Sequence, residues 1–170
     1  MSKGKGSAWR GILMAFSLIF RPWAMESTRR YWFRWIEFGF LHVAIGLAIF
    51  YHLFLPFAFG LLAWHFTKMA AAAIALGAGA GMARLLRRAV RPEMRAISSF
   101  DDFFSLVMVE VFLVAASLGL MGCTVASVTY FLVAAFLLVY VPTSKLSHYF
   151  YWPFARYYYG RYFARRRIYQ

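Results

Sequence analysis

Four apolar runs, over about residues 35–55, 69–86, 103–120 and 125–140, are separated by polar or basic breaks. Each approaches the roughly 20 helical residues needed to cross a hydrocarbon core of about 30 Å. Pro56 marks the end of the first run. Residues 57–68, with Gly60, Trp64, His65 and Lys68, read as a short turn and interfacial piece on the far side. The second run carries Gly77, Gly79 and Gly81, a smooth surface for a neighbouring helix or a flat cofactor. Residues 84–95 form a basic loop broken by Pro92, and Ser98 or Ser99 then offers an N-cap with Asp101 and Asp102 in the first turn of the third run. A tight Gly-containing turn leads into the fourth. An earlier apolar stretch, Gly11 to Phe20, is too short to span and stops at Arg21-Pro22 with no small-residue cleavage site after it. With Trp9 and Trp23 it reads as an amphipathic segment at the membrane interface. The pattern predicts an all-α integral membrane protein, a four-transmembrane-helix bundle over 35–148. An interfacial N-terminal segment, 1–34, precedes it and a basic aromatic C-terminal tail, 149–170, follows.

Composition agrees. The chain is 63% hydrophobic and 21% aromatic, with mean hydropathy +0.61, too apolar for a soluble domain of 170 residues. Its formal charge of +13 is confined to clusters in the N-terminal region, the loop after the second run and the C-terminus, and of 19 lysines and arginines only Lys68 lies elsewhere. Such asymmetry places both termini on the cytoplasmic side of the cell's inner membrane. The same clustering argues against nucleic acid, which asks for a continuous basic face. The arginine and aromatic tail suits an interfacial anchor better than a single-strand binder. Cys123 is the only cysteine, which excludes an internal disulfide, a thiolate iron–sulfur site and a cysteine zinc site. Redox chemistry here would have to use histidine.

His42 and His52 lie ten residues apart inside the first apolar run. An ionisable group at membrane depth needs a reason; haem iron, which takes neutral imidazole as an axial ligand, is one, and a hydrogen-bonded core histidine is the other. His42 lies eight residues from Arg34, and His148 eight residues before Arg156 at the end of the last helix. At about 1.5 Å per residue each is roughly 12 Å from an arginine, so two imidazoles share one depth, as bis-histidine ligation requires. Taken alone, His148 also reads as an interfacial residue. Gly46, one turn from His42, lets a porphyrin approach the backbone or simply packs. Arg34, Arg84 and Arg88 sit where propionates would emerge, although solvated positive-inside charge explains them equally. Glu110, eight residues beyond Asp102, falls at about the depth of His42. It suits proton transfer at a quinone site, a hydrogen bond to a ligand imidazole, or a structural bond to a neighbouring helix.

Three motifs in order, FLHVAIGLAIFYHLF, RLLRRAVRPEMRAISSFDD and PTSKLSH, resemble the membrane cytochrome b family. That family includes the gamma subunit of respiratory nitrate reductase and related subunits of heterodisulfide-reductase-like and sulfur-linked electron transfer complexes. The resemblance covers roughly residues 35–151; Thr143 stands where the family favours an aromatic residue, and the family's usual first span is missing. It implies two stacked b haems, the proximal one held by His42 and His148. The distal one takes His52 and a histidine at the position that is Tyr130 here. Three readings of that gap stay open: no distal haem, His52 paired with His65, or Tyr130 itself as ligand.

The implied function is a haem b subunit of a respiratory complex, not catalytic alone, that moves electrons between menaquinone or ubiquinone and a partner iron–sulfur subunit. Glu110, Lys68 and His52 are the candidates for quinone or proton handling. From another class comes a haem-free membrane anchor or assembly subunit of a larger complex. A small transporter is disfavoured by the absence of an internal repeat.

Overall fold

The computed structural model describes residues 7–21, 23, 26–54, 57 and 64–165. Lys3, Lys5, Pro22, Pro56, Gly60, Arg166 and Arg167, which entered the charge count and the span limits, lie outside the described residues. Every described element is helical: α1 (Ala8–Ser17), α2 (Glu26–Arg30), α3 (Trp32–Phe54), α4 (Trp64–Val90), α5 (Pro92–Ala96), α6 (Phe100–Leu120), α7 (Thr124–Tyr140) and α8 (His148–Arg165). Four helices among the described residues, α3, α4, α6 and α7, are long and apolar enough to cross a membrane. The chain divides into two compact units, Ile36–Lys145 and a second made of Met1–Trp35 with Leu146–Gln170.

In the larger unit α6 packs against both α4 and α7 and contributes the largest share of the core, including Val109, Phe112, Leu113 and Ala116. α3 reaches α4 through Gly77, whose missing Cβ leaves room for Ala44 and for the Phe40 carbonyl, and reaches α7 where the Tyr130 hydroxyl donates to the Ala48 carbonyl. Ser117 likewise donates to the Ala71 carbonyl on α4 at 2.9 Å. Small residues let these backbones approach, and bonds between helices satisfy groups that an apolar surrounding would leave bare. The α6–α7 turn closes as a Schellman motif. Gly122 takes φ of 101°, with Cys123 N–H donating to Leu118 at 3.1 Å and Gly122 N–H to Gly119 at 3.0 Å.

Three sequence expectations are corrected. Residues 64–68 belong to α4 and not to a turn, and the supposed loop from Arg84 is helical through Val90, since Arg, Leu and Ala are all good helix formers. Pro92 begins the short helix α5 from its first position, where a missing N–H costs nothing. His148 does not end the fourth span: α7 stops at Tyr140, two 3₁₀ turns follow (Val141–Thr143 and Lys145–Ser147), and His148 opens α8. Pro142 and the extended Ser144 break the helical hydrogen bonding between them.

In the smaller unit α1 and α8 pack as an antiparallel pair. Gly11 and Ile12 meet Gly160, and Phe16 meets Trp152 edge to face at 5.4 Å. The aromatic tail is therefore a helix, with Tyr151, Phe154 and Tyr158 exposed along it.

A side chain at position 77 would have its Cβ 2.9 Å from the Phe40 carbonyl oxygen, whereas among the described residues nothing lies within 4 Å at Gly79. Gly77→Val should therefore destabilise the bundle by about 1–3 kcal/mol, read as an earlier midpoint in a detergent unfolding titration. Gly79→Ala should leave the midpoint unchanged or raise it, by up to about 1 kcal/mol.

Candidate functional site

The polar groups of the larger unit gather at its arginine-rich end. Glu37, buried on α3, accepts two bonds from Arg87 on α4, at 2.6 and 2.8 Å, a bidentate fork. Arg84, half-buried one turn earlier on α4, shares the field of Glu37. Beside them Asp102 caps α6 by accepting from the Ser99 N–H at 2.7 Å and the Ser99 hydroxyl at 2.8 Å. Asp102 also pairs with Lys145 at 2.7 Å and Arg88 at 3.3 Å, and Arg88 donates to Ser98 at 3.0 Å. Asp101 accepts the Lys145 N–H at 3.0 Å and the Tyr140 hydroxyl. The second and third sequence motifs thus meet through Arg88, Asp102 and Lys145, and α3 joins them through Glu37.

Sequence reasoning missed Glu37 and Arg87. The signal was present: a carboxylate five residues before His42 in an apolar run needs a counter-charge, and the basic cluster is its source. Arg88, expected to face propionates, is engaged with Asp102 and Ser98. Arg34 lies in the smaller unit, its guanidinium 4.6 Å from the Tyr31 ring centroid.

His42 stands on the outward face of α3. The buried positions are Glu37, Leu41, Ala44, Ala48 and Tyr51; His42 falls on the other side of the helix with Gly39 and Gly46 one turn before and after it. Among the described residues nothing lies within 4 Å of a Cβ added at either glycine, so the imidazole stands between two bare stretches of backbone. Its Nδ1 lies 2.8 Å from the Phe38 carbonyl oxygen, and the ring lies over Phe38 with centroids 3.8 Å apart. With Nδ1 bonded to a carbonyl, the ligating nitrogen of such a ring is Nε2, and its orientation is set. These features fit a flat group bound through its metal. No three His, Cys, Asp or Glu side chains among the described residues converge to hold a bare metal ion; iron in a porphyrin asks the protein only for axial ligands.

His148 belongs to the smaller unit, so the two imidazoles are not assembled within either unit. His52 turns toward α7, its ring edge-on to Tyr130 at 5.3 Å and beside Phe131 at 4.9 Å, with Nδ1 buried and, among the described residues, without a hydrogen-bond partner. Tyr130 is buried against Phe112, and its hydroxyl proton is used on the Ala48 carbonyl. His65 and Lys68 are exposed near the start of α4. Glu110 lies at the midpoint of α6, buried against Gly81, which also meets Leu41; this is the level of His42 on α3. Among the described residues neither Glu110 carboxyl oxygen has a hydrogen-bond partner.

Replacing Glu37 by Leu would leave Arg87 uncompensated at a site where its side chain is only 25% exposed. The cost should be about 3 kcal/mol, against less than about 0.5 kcal/mol for Glu93→Ala on the exposed α5, both read from unfolding midpoints. Compared with known proteins, the chain matches no protein-family model, no curated protein and no solved structure.

Proposed function

We propose that this chain is a haem b-binding membrane subunit of a respiratory redox complex, carrying electrons between menaquinone or ubiquinone and a partner iron–sulfur subunit. The observation that carries this reading is His42: an imidazole on an outward helix face, fixed through Nδ1 by the Phe38 carbonyl, between two glycines that leave the backbone uncovered. A core histidine needs neither the glycines nor the outward face. The order of the three sequence motifs supports the same reading and supplies His148 as the second axial imidazole.

Bound haem would add one-electron iron chemistry in an apolar setting. The chain's own residues do the rest. Phe38 holds the His42 tautomer and ring plane, and Gly39 and Gly46 admit a flat group against α3. Arg84 and Arg34 supply cationic groups suited to propionates. The bonds of Glu37 to Arg87 and of Asp102 to Arg88 and Lys145 hold the helix ends that carry the site. Tyr130, buried and hydrogen-bonded to Ala48, packs beside His52 as a structural phenol, so a single haem is the expected content. The basic clusters orient both termini toward the cytoplasmic side of the inner membrane.

The test is a dithionite-reduced minus oxidised spectrum with a pyridine haemochrome assay on detergent-purified protein. Wild type and His52→Ala should each show one b-type haem per chain, and His42→Ala and His148→Ala should lose it. A haem that depends on His52 would restore a distal site, with His65 as the partner to examine. A folded, fully assembled preparation without haem would overturn the reading in favour of a haem-free anchor or assembly subunit.

A further inference from the structure

α1 and α8 meet along a strip with little side-chain bulk, where a Cβ at Gly160 would stand 2.6 Å from the Ile12 Cα. That strip settles which faces of the two helices are turned outward. On α1 the buried positions are Gly11, Ile12 and Ala15, so Trp9, Arg10 and Leu13 fall on the other side of the helix, and all three are exposed. On α8 Gly160 and Ala164 are buried, and Tyr151, Phe154, Tyr158 and Arg161, at i, i+3, i+7 and i+10, form an exposed stripe. Trp9 is 66% exposed and Phe154 74%. Large rings left bare in this number mark a contact surface.

The charge of the unit narrows what can cover it. It holds twelve of the nineteen lysines and arginines of the chain and one of the six acidic residues, Glu26. In the larger unit the basic groups at the helix ends are matched, Arg87 by Glu37, and Arg88 and Lys145 by Asp102. Among the described residues no carboxylate pairs with Arg10, Arg21 or Arg161. A partner for this surface must therefore bring anionic groups for the arginines and an apolar layer for the rings. A bilayer of anionic phospholipid has both, phosphate at the surface and acyl carbon beneath it. The connections favour it over an acidic protein. One residue separates α2 from α3 and seven separate α7 from α8, so short segments join the unit to two helices of membrane-crossing length.

We propose that the paired α1 and α8 form one docking surface for anionic phospholipid, with Trp9, Leu13, Phe154 and Tyr158 entering the headgroup layer and Arg10, Arg21 and Arg161 binding lipid phosphates. From sequence the two segments are separate interfacial pieces; their packing makes them a single surface that reads lipid charge. It requires no haem and is independent of the electron-carrier reading.

The test uses the full chain in nanodiscs of phosphatidylcholine alone or mixed with phosphatidylglycerol. Cys123 is the only cysteine, so in a Cys123→Ser background one nitroxide is placed at Leu13→Cys or at Phe154→Cys. Power saturation by oxygen and by a water-soluble nickel chelate reads its depth. With phosphatidylglycerol both labels should be reached by oxygen and shielded from nickel. In phosphatidylcholine alone, or in high salt, both should become accessible to nickel. The ratio of shielded to accessible label should fall about fivefold for each arginine removed in Arg10→Gln, Arg21→Gln and Arg161→Gln. Hydrogen exchange on the wild-type chain gives a reading without substitution: amides of α1 and α8 should exchange more slowly in the phosphatidylglycerol discs. Nickel access that is high in every disc would overturn the proposal and leave the surface to an acidic protein. Shielding as strong in phosphatidylcholine would overturn the role of headgroup charge, and shielding of one label without the other would overturn the joint surface.

Discussion

A charge placed inside an apolar bundle must be neutralised there, and the larger unit is organised by the way Glu37 meets that condition and by the carboxylate of Asp102 that ties the helix ends together. Glu37 draws α4 to α3 through both donors of Arg87. Asp102 joins the end of α4, the start of α6 and the segment after α7 through Arg88, Ser99 and Lys145. Breaking the buried Glu37–Arg87 pair is far costlier than the pair is worth over an apolar substitute, and with the more exposed Asp102 contacts it sets the register of the helix ends. They fix which turn of one helix stands beside which turn of the next.

With the ends registered, the middle of the bundle is built on close approach. Ala44 lies against Gly77, and Ile74 and Leu113 are fully buried. The hydroxyls of Ser117 and Tyr130 bond to carbonyls of neighbouring helices. Against this background Glu110, like the His52 Nδ1, has no hydrogen-bond partner among the described residues, and polar exceptions in an otherwise consistent core are where function is to be sought. His42 is an exception of a different kind, a polar ring held on the outward face between two uncovered glycines. The inward stripe of α3 is already filled by Leu41, Ala44 and Ala48.

The two features lie on opposite sides of the packing that joins α3 to α4. His42 stands on the outside of α3, and Glu110 is buried inside the bundle against Gly81 on α4. Both lie at one level along the bundle, since Gly81 touches Glu110 and Leu41 together. The α1–α8 pair forms its own compact unit, held by glycine contacts and an aromatic edge.

The four spans were legible in the sequence because hydropathy is a sum over neighbours in the chain, and no partner helix is needed to see that a run of 20 apolar residues is helical in lipid. The α6 cap and the Gly122 turn were legible for the same local reason. Helix ends rich in arginine were not, because Arg reads as a loop signal by charge and as a helix former by propensity, and α4 follows propensity through Val90. His148 was misplaced because Pro142 leaves open whether a helix bends or stops. Only the tertiary structure paired Glu37 with Arg87, 50 residues apart, and set Tyr130 against Ala48, 82 residues apart. Only it left Glu110 without a hydrogen-bond partner among the described residues. Contacts of that kind depend on the rotation and register of each helix against its neighbours, which side-chain packing decides and hydropathy does not encode.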